Sequence, residues 1–272
     1  KRLLFFLFFT YAFCDIMMEL LAPAGNFISL ASALKYGADA VYIAGQNYGA
    51  RAYAKNFSME EIEKAVDYAH LNGAKVHVTV NTLINNYEIK DVLDYLFKLY
   101  QIGVDAVIVQ DFGLIWLLKT FIPDLEVHAS TQMTAENQLK LDYIEEKGIK
   151  RIVLPREMRK EEIMQLKTNM ELEIFAHGAL CYCYSGQCLM SSFKGGRSGN
   201  RGTCAQPCRE PYELNINKSK DILPKTEGRY LLSPRDLSLY EHLDEIVNLG
   251  VDSLKIEGRM RSNDYVATVV SN

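Results

Sequence analysis

The sequence shows no excess of charge of either sign: 30 Lys and Arg stand against 34 Asp and Glu, a net charge of −4. A surface so balanced does not wrap nucleic acid along its whole extent, although a local basic patch is compatible with it. Apolar runs long enough to cross a bilayer are absent. The longest follows a basic pair in KRLLFFLFFTYAFCDIMM and holds eleven mostly apolar residues, short of the roughly 20 that a spanning helix needs. It has the outline of a signal peptide, but bulky Phe13 precedes Cys14 and no small-x-small cleavage site follows. Residues 1–16 are therefore expected to be a disordered or extraneous tail, and 17–272 to form the domain, in the cytoplasm and away from membranes. The common hydrolase signatures are missing too. There is no Gly-x-Ser-x-Gly elbow, no His-Glu-x-x-His helix and no Cys/His pair with an evident orienting partner.

What is present is a regular alternation. Of 272 residues, 49% are apolar and 24% charged, the balance of a globular protein with a sizeable core. Short β-type runs fall at 18–24, 40–45, 75–81, 106–111, 126–131, 151–157, 171–178 and 253–259, separated by amphipathic helical windows. In SMEEIEKAVDYAHLNG, Ser58 and Glu61 form a capping box and Gly73 supplies the stop. Similar windows read EIKDVLDYLFKLYQIG, TAENQLKLDYIEEKG and SPRDLSLYEHLDEIVNLG. Three strands are introduced by near-identical phrases, KYGADAVYI, QIGVDAVIV and NLGVDSLKI. Eight β/α units predict a (β/α)8 TIM-like barrel.

Four of the strands alternate polar with apolar residues. His77, Thr79 and Asn81 share a face, as do His128, Ser130 and Gln132, then Glu173, Phe175 and His177, then Lys255, Glu257 and Arg259. An open doubly wound sheet covers both faces with helices and wants both apolar; a barrel has a lumen whose C-terminal rim can hold chemistry. Asn81, Gln132, His177, Glu257 and Arg259 lie at that rim and are candidates to touch substrate, the alternative being a buried polar network that satisfies itself.

The alternation breaks at 179–231, a Gly-rich insert after strand seven. Within 28 residues it holds Cys181, Cys188, Cys204 and Cys208, with Cys183 inside the first pair, and glycines at 178, 186, 195, 196, 199 and 202 let the backbone turn sharply. So polar a segment is poor company for core cysteines, and a chain with a large core has no need of disulfide staples. Metal ligation is the better reading. Six residues between Cys181 and Cys188 and three between Cys204 and Cys208 suit an iron–sulfur cluster better than the paired Cys-x-x-Cys knuckles of structural zinc, which stays open as the alternative. Lys194, Arg197, Arg201 and Arg209 form a local basic group in the same segment.

The stretch EIFAHGALCYCYSGQCLMS, from Glu173 to Ser191, satisfies every fixed position of the pattern E-x-F-x2-G-[SA]-[LIVM]-C-x4-G-x-C-x-[LIVM]-S. On these residues the chain resembles the collagenase-like peptidase family U32, and the resemblance extends to ELLAPAGN, GADAVYIAGQNYGARA, GNRGTCAQPCR, LLSPRDL and IEGRMRS. It implies a barrel-like domain, with a further C-terminal domain that is expected to be missing here. It also implies two activities. The family name implies a peptidase, whereas better-characterised members resemble oxygen-independent hydroxylases of a tRNA wobble uridine, a 23S rRNA cytidine or ubiquinone precursors.

In those members four cysteines hold a 4Fe-4S cluster, and RNA-modifying ones are associated with prephenate as hydroxyl source. The resemblance implies Cys181, Cys188, Cys204 and Cys208 as ligands. Quinone-pathway members take one ligand near SPRDL, where this chain has Ser238; that departure favours the RNA branch. A dicarboxylate donor needs cationic partners, for which Arg51, Arg156 and Arg259 are the candidates. Lys194, Arg197, Arg201 and Arg209 are the candidates for RNA phosphates, and Glu257, His177 and Arg259 for the reacting centre. The expected function is hydroxylation of an RNA base; a peptidase and a zinc-stabilised binding module are the alternatives.

Overall fold

The computed structural model describes residues 18–212 and 230–272. The expectation for residues 1–16 lies outside the described residues, as does the part of the insert at 213–229. Eight parallel strands close on themselves: β1 (Glu19–Pro23), β2 (Ala40–Ile43), β3 (Lys75–Val80), β4 (Ala106–Val109), β5 (Glu126–Ala129), β6 (Arg151–Val153), β7 (Glu171–Gly178) and β9 (Ser253–Ile256). Consecutive strands pair from β1 to β7, and β9 closes the ring between β7 and β1. All eight expected strands are present. Around them run α1 (Phe27–Lys35), α2 (Met59–Leu71), α3 (Ile89–Gln101), α4 (Phe112–Phe121), α5 (Gln138–Glu145), α6 (Lys160–Ile163), α8 (Leu243–Val247) and α9 (Asn263–Ser271), while α7 (Met190–Gly195) lies in the insert. No helix of the described residues is long and apolar enough to cross a membrane.

The repeated phrases prove to be strand-starting devices. Gly37, Gly103 and Gly250 each take positive φ (+105°, +81° and +70°) where a helix ends, a conformation that costs glycine nothing. Two residues on, Asp39, Asp105 and Asp252 each accept a hydrogen bond from the backbone N–H of a neighbouring strand, at Leu20 (2.8 Å), Val76 (2.7 Å) and Leu172 (2.8 Å). Each phrase thus ends one helix and locks the register of two strands. The Ser58–Glu61 capping box of α2 is present as expected.

Outward strand residues such as Val41, Ile43, Val76, Val78, Val107, Val109 and Val127 are fully buried against the helices. The lumen is polar, and its lower layer is a closed ionic network. Arg151 pairs with Glu19, with Glu171 and, at 3.3 Å, with Glu173, which also accepts from Lys255 at 2.7 Å. Beside it His77 and His128 meet edge to face at 4.7 Å.

The window at 233–250 departs from expectation, being helical only from a 3-10 turn at Tyr240–His242 through α8. Leu237–Ser238 forms a short strand, β8, antiparallel to the end of β7, and the Leu239 N–H donates to the Ala176 carbonyl (2.9 Å). Strand β7 outruns its parallel neighbours, and its spare backbone groups are satisfied by this segment rather than left open.

Candidate functional site

The C-terminal ends of the strands open into a cavity of about 570 Å³, within the range of roughly 300–1,000 Å³ that encloses small molecules. The insert is pinned over it on two sides. On one side the Ser185 N–H and hydroxyl donate to Glu157 (2.7 and 3.0 Å), and the Thr134 hydroxyl donates to the Ser185 carbonyl (2.5 Å). Gly186, at φ +76°, lies so close to the Gln132 carbonyl that a Cβ would stand 2.1 Å from it. On the other side Gly202 packs equally tightly on the Gly49 carbonyl, its own carbonyl accepts from the Ala52 N–H (3.0 Å), and the Asn200 carbonyl accepts from the Leu83 N–H. Arg209 ties the two ends of the insert together by donating to the carbonyls of Leu180 (2.7 Å) and Pro234 (2.6 Å).

This arrangement brings Cys181, Cys183, Cys188, Cys204 and Cys208 onto one wall of the cavity, all as free thiols. Burial pushes the Cys208 thiol up; Arg209 opposes the rise, and neighbouring Cys181 and Cys204 add to it. Cys183 is raised by burial and by the adjacent Cys188 and Cys181. Among the described residues no three Cys, His, Asp or Glu side chains converge as they would around a single metal ion.

The floor opposite the thiols is built from strand ends. Glu257, just past β9, accepts from Arg156 at 2.7 Å and lies 3.8 Å from Arg51. Burial alone would raise its carboxyl, but Arg51, Arg156 and Arg259, helped by Lys255, hold it below the usual carboxylate range. Burial pushes Arg259 down to about 10, which still leaves it charged at neutral pH. The Arg156 guanidinium stacks on the Phe175 ring at 3.5 Å, and its Nε is buried without a partner. Tyr42 completes the floor. It donates to the Ile256 carbonyl (3.0 Å), and burial together with Glu257 keeps it protonated.

Most of the singled-out residues meet here: Arg51, Asn81, Gln132, Arg156, Arg197, Arg209, Glu257 and Arg259 line the same cavity as the cysteines. Three do not. His177, expected on the lumen face, points outward, its Nδ1 2.8 Å from the Tyr265 hydroxyl. The pairing of β7 with β9 shifts register between Phe175 and His177, so the extra residue of this bulge reverses the alternation. Arg201 lies on the outer side of the insert in an ion pair with Glu88 (2.6 Å), and Lys194 bonds the Tyr212 hydroxyl (2.7 Å). Arg209, though at the cavity, is taken up by the carbonyls it clamps. Residues not foreseen include Tyr42, hidden in the apolar run AVYI, and Glu157, whose partner Ser185 is distant in sequence.

The family model described as Peptidase family U32 matches residues 25–272. The tRNA hydroxylation protein P1 of Bacillus subtilis is 43% identical over 258 residues, covering 93% of this chain and 61% of that protein. The 23S rRNA 5-hydroxycytidine synthase of Escherichia coli is 40% identical over 257 residues, covering 94% of this chain and 38% of that protein. The chain therefore spans between about two fifths and three fifths of these relatives. Among solved structures, the U32 peptidase Mk0906 superposes with a TM-score of 0.61 at 17% identity, over 89% of this chain and 94% of that one, a likeness of fold.

Proposed function

Because the chain belongs to peptidase family U32, we propose that it is the barrel domain of an RNA-modifying enzyme that hydroxylates a pyrimidine base without molecular oxygen, of the tRNA wobble uridine or 23S rRNA cytidine type. The observation that carries this reading is the floor of the cavity, where three guanidinium groups surround one carboxylate opposite a wall of thiols. Two positive charges are left over, which matches a dicarboxylate hydroxyl donor such as prephenate. Relatives whose names specify hydroxylation of tRNA and rRNA support the substrate class.

The donor set supports an iron–sulfur cluster. The thiols are soft ligands with no imidazole among them, which disfavours Mg²⁺ and Ca²⁺, and six residues between Cys181 and Cys188 with three between Cys204 and Cys208 suit a cluster better than paired zinc knuckles. Cys181, Cys188, Cys204 and Cys208 would hold it. When bound, it would supply electron transfer or Lewis acidity above the floor. The chain's own residues bind and orient. Arg51 and Arg156 take the donor's carboxylates, and in doing so share the charge that holds Glu257 ionised. Its carboxylate then becomes a better proton acceptor, beside a Tyr42 that stays protonated.

Proteolysis has weaker support. None of the five histidines lines the cavity, so no thiol there has an imidazole base. The test is anaerobic purification with iron, sulfide and zinc analysis, followed by nucleoside mass spectrometry of tRNA and rRNA from cells expressing the chain. About four irons and a hydroxylated pyrimidine are expected. Gelatin cleavage with unaltered RNA would replace this reading with the peptidase, and one zinc without iron would replace it with a zinc-stabilised binding module.

A further inference from the structure

Resting on the RNA reading above, we infer that the mouth of the barrel admits a single nucleotide turned out of its stack, gripped between Tyr53 on one side and Tyr182 and Tyr184 on the other. The three rings line the cavity, yet are 65%, 56% and 58% exposed. They stand on opposite sides of the mouth. Tyr53 belongs to the loop after β2, whereas Tyr182 and Tyr184 precede Ser185, which is pinned to Thr134 after β5 and Glu157 after β6. In the ring of eight strands β2 lies across from β6.

Depth makes the arrangement necessary. The arginine–glutamate floor lies at the strand ends beneath an insert fastened to both rims, so a base held inside a duplex cannot reach it, and extrusion is the way chemistry is done on such a base. Exposed aromatic rings around a cationic opening are the means by which proteins hold unstacked bases. Arg197 supplies the charge: its guanidinium covers the Tyr53 ring at 4.5 Å while donating to the Thr203 carbonyl. Tyr53 is thereby oriented without being buried.

Fluorescence anisotropy tests this on the full chain with a labelled pyrimidine-rich single-stranded RNA, alone and annealed into a duplex. The single strand should bind more tightly than the duplex. Tyr53→Ala, Tyr182→Ala and Tyr184→Ala should each weaken it, by roughly 5- to 150-fold where a full stacking contact is lost, with an unchanged salt dependence. Tyr→Phe at the same positions should restore binding. Phe193→Ala, in α7 and outside the cavity lining, is the control and should change nothing. RNA bound equally well by the Ala variants, or a preference for duplex, would overturn the gripping role and leave RNA as substrate. A wild-type chain that binds gelatin peptide, or nothing, in place of RNA would overturn both.

Discussion

Replacing Glu173 by Gln should cost about 3–5 kcal/mol of stability, the usual result of removing one partner from a buried ion pair. Glu173 is fully buried, and it stands between Lys255 at 2.7 Å and Arg151 at 3.3 Å. The two cations differ in what they keep. Arg151 retains Glu19 and Glu171, whereas Lys255, 6% exposed, has no other carboxylate within ion-pair distance among the described residues. Nearly all of the cost should therefore come from an uncompensated ammonium under the cavity, held against the Tyr42 ring at 4.6 Å. The assay is urea unfolding of Glu173→Gln, of Lys255→Met, of Arg151→Met and of the two double variants that combine Glu173→Gln with each. Glu173→Gln/Lys255→Met should recover most of the loss, and Glu173→Gln/Arg151→Met should not. A single variant within about 1 kcal/mol of the wild type, or equal recovery in both doubles, would refute the assignment of the cost to Lys255.

Gly186→Ala forces a Cβ to 2.1 Å from the Gln132 carbonyl at φ +76°; it should loosen the insert by about 2–4 kcal/mol, read as faster proteolysis within the insert while the barrel stays folded. His77 is fully buried, and burial first, then His128, Arg151 and Lys255, hold its pKa well below the ordinary value. The folded chain thus binds fewer protons than the unfolded one, so stability should fall as pH drops below about 6.5, at up to ~1.4 kcal/mol per pH unit; a thermal melt series on His77→Leu should lose that slope. Arg156→Ala should raise the KM for a dicarboxylate donor by one to two orders of magnitude, and Arg156→Lys should recover little because the stacked, forked geometry on Phe175 is lost. Cys188→Ser should lose iron and activity together while Cys183→Ser keeps both; iron analysis of the two purified variants decides it.

The strands, most helices and the closed barrel were legible in the sequence because they rest on local rules. Alternation marks a lumen, Gly-Ala-Asp and its variants end helices and start strands, and a capping box needs four consecutive residues. The cysteines likewise marked the insert as a distinct segment, and its five thiols line one cavity. What lay beyond local reading needed contacts between distant segments. One added residue in β7 turned His177 from the lumen to Tyr265, because a bulge is set by the partner strand. Window 233–250 gave up much of its helix to cover the end of β7. Arg201 and Arg209 carry the same charge as Arg51 and Arg156, but the first two hold the insert in place and the others face the cavity. The amino-acid pattern by itself determined a barrel and a thiol-rich loop; only closure of the barrel decided which arginines meet Glu257, since the segments that follow β2, β6 and β9 become neighbours when the sheet closes.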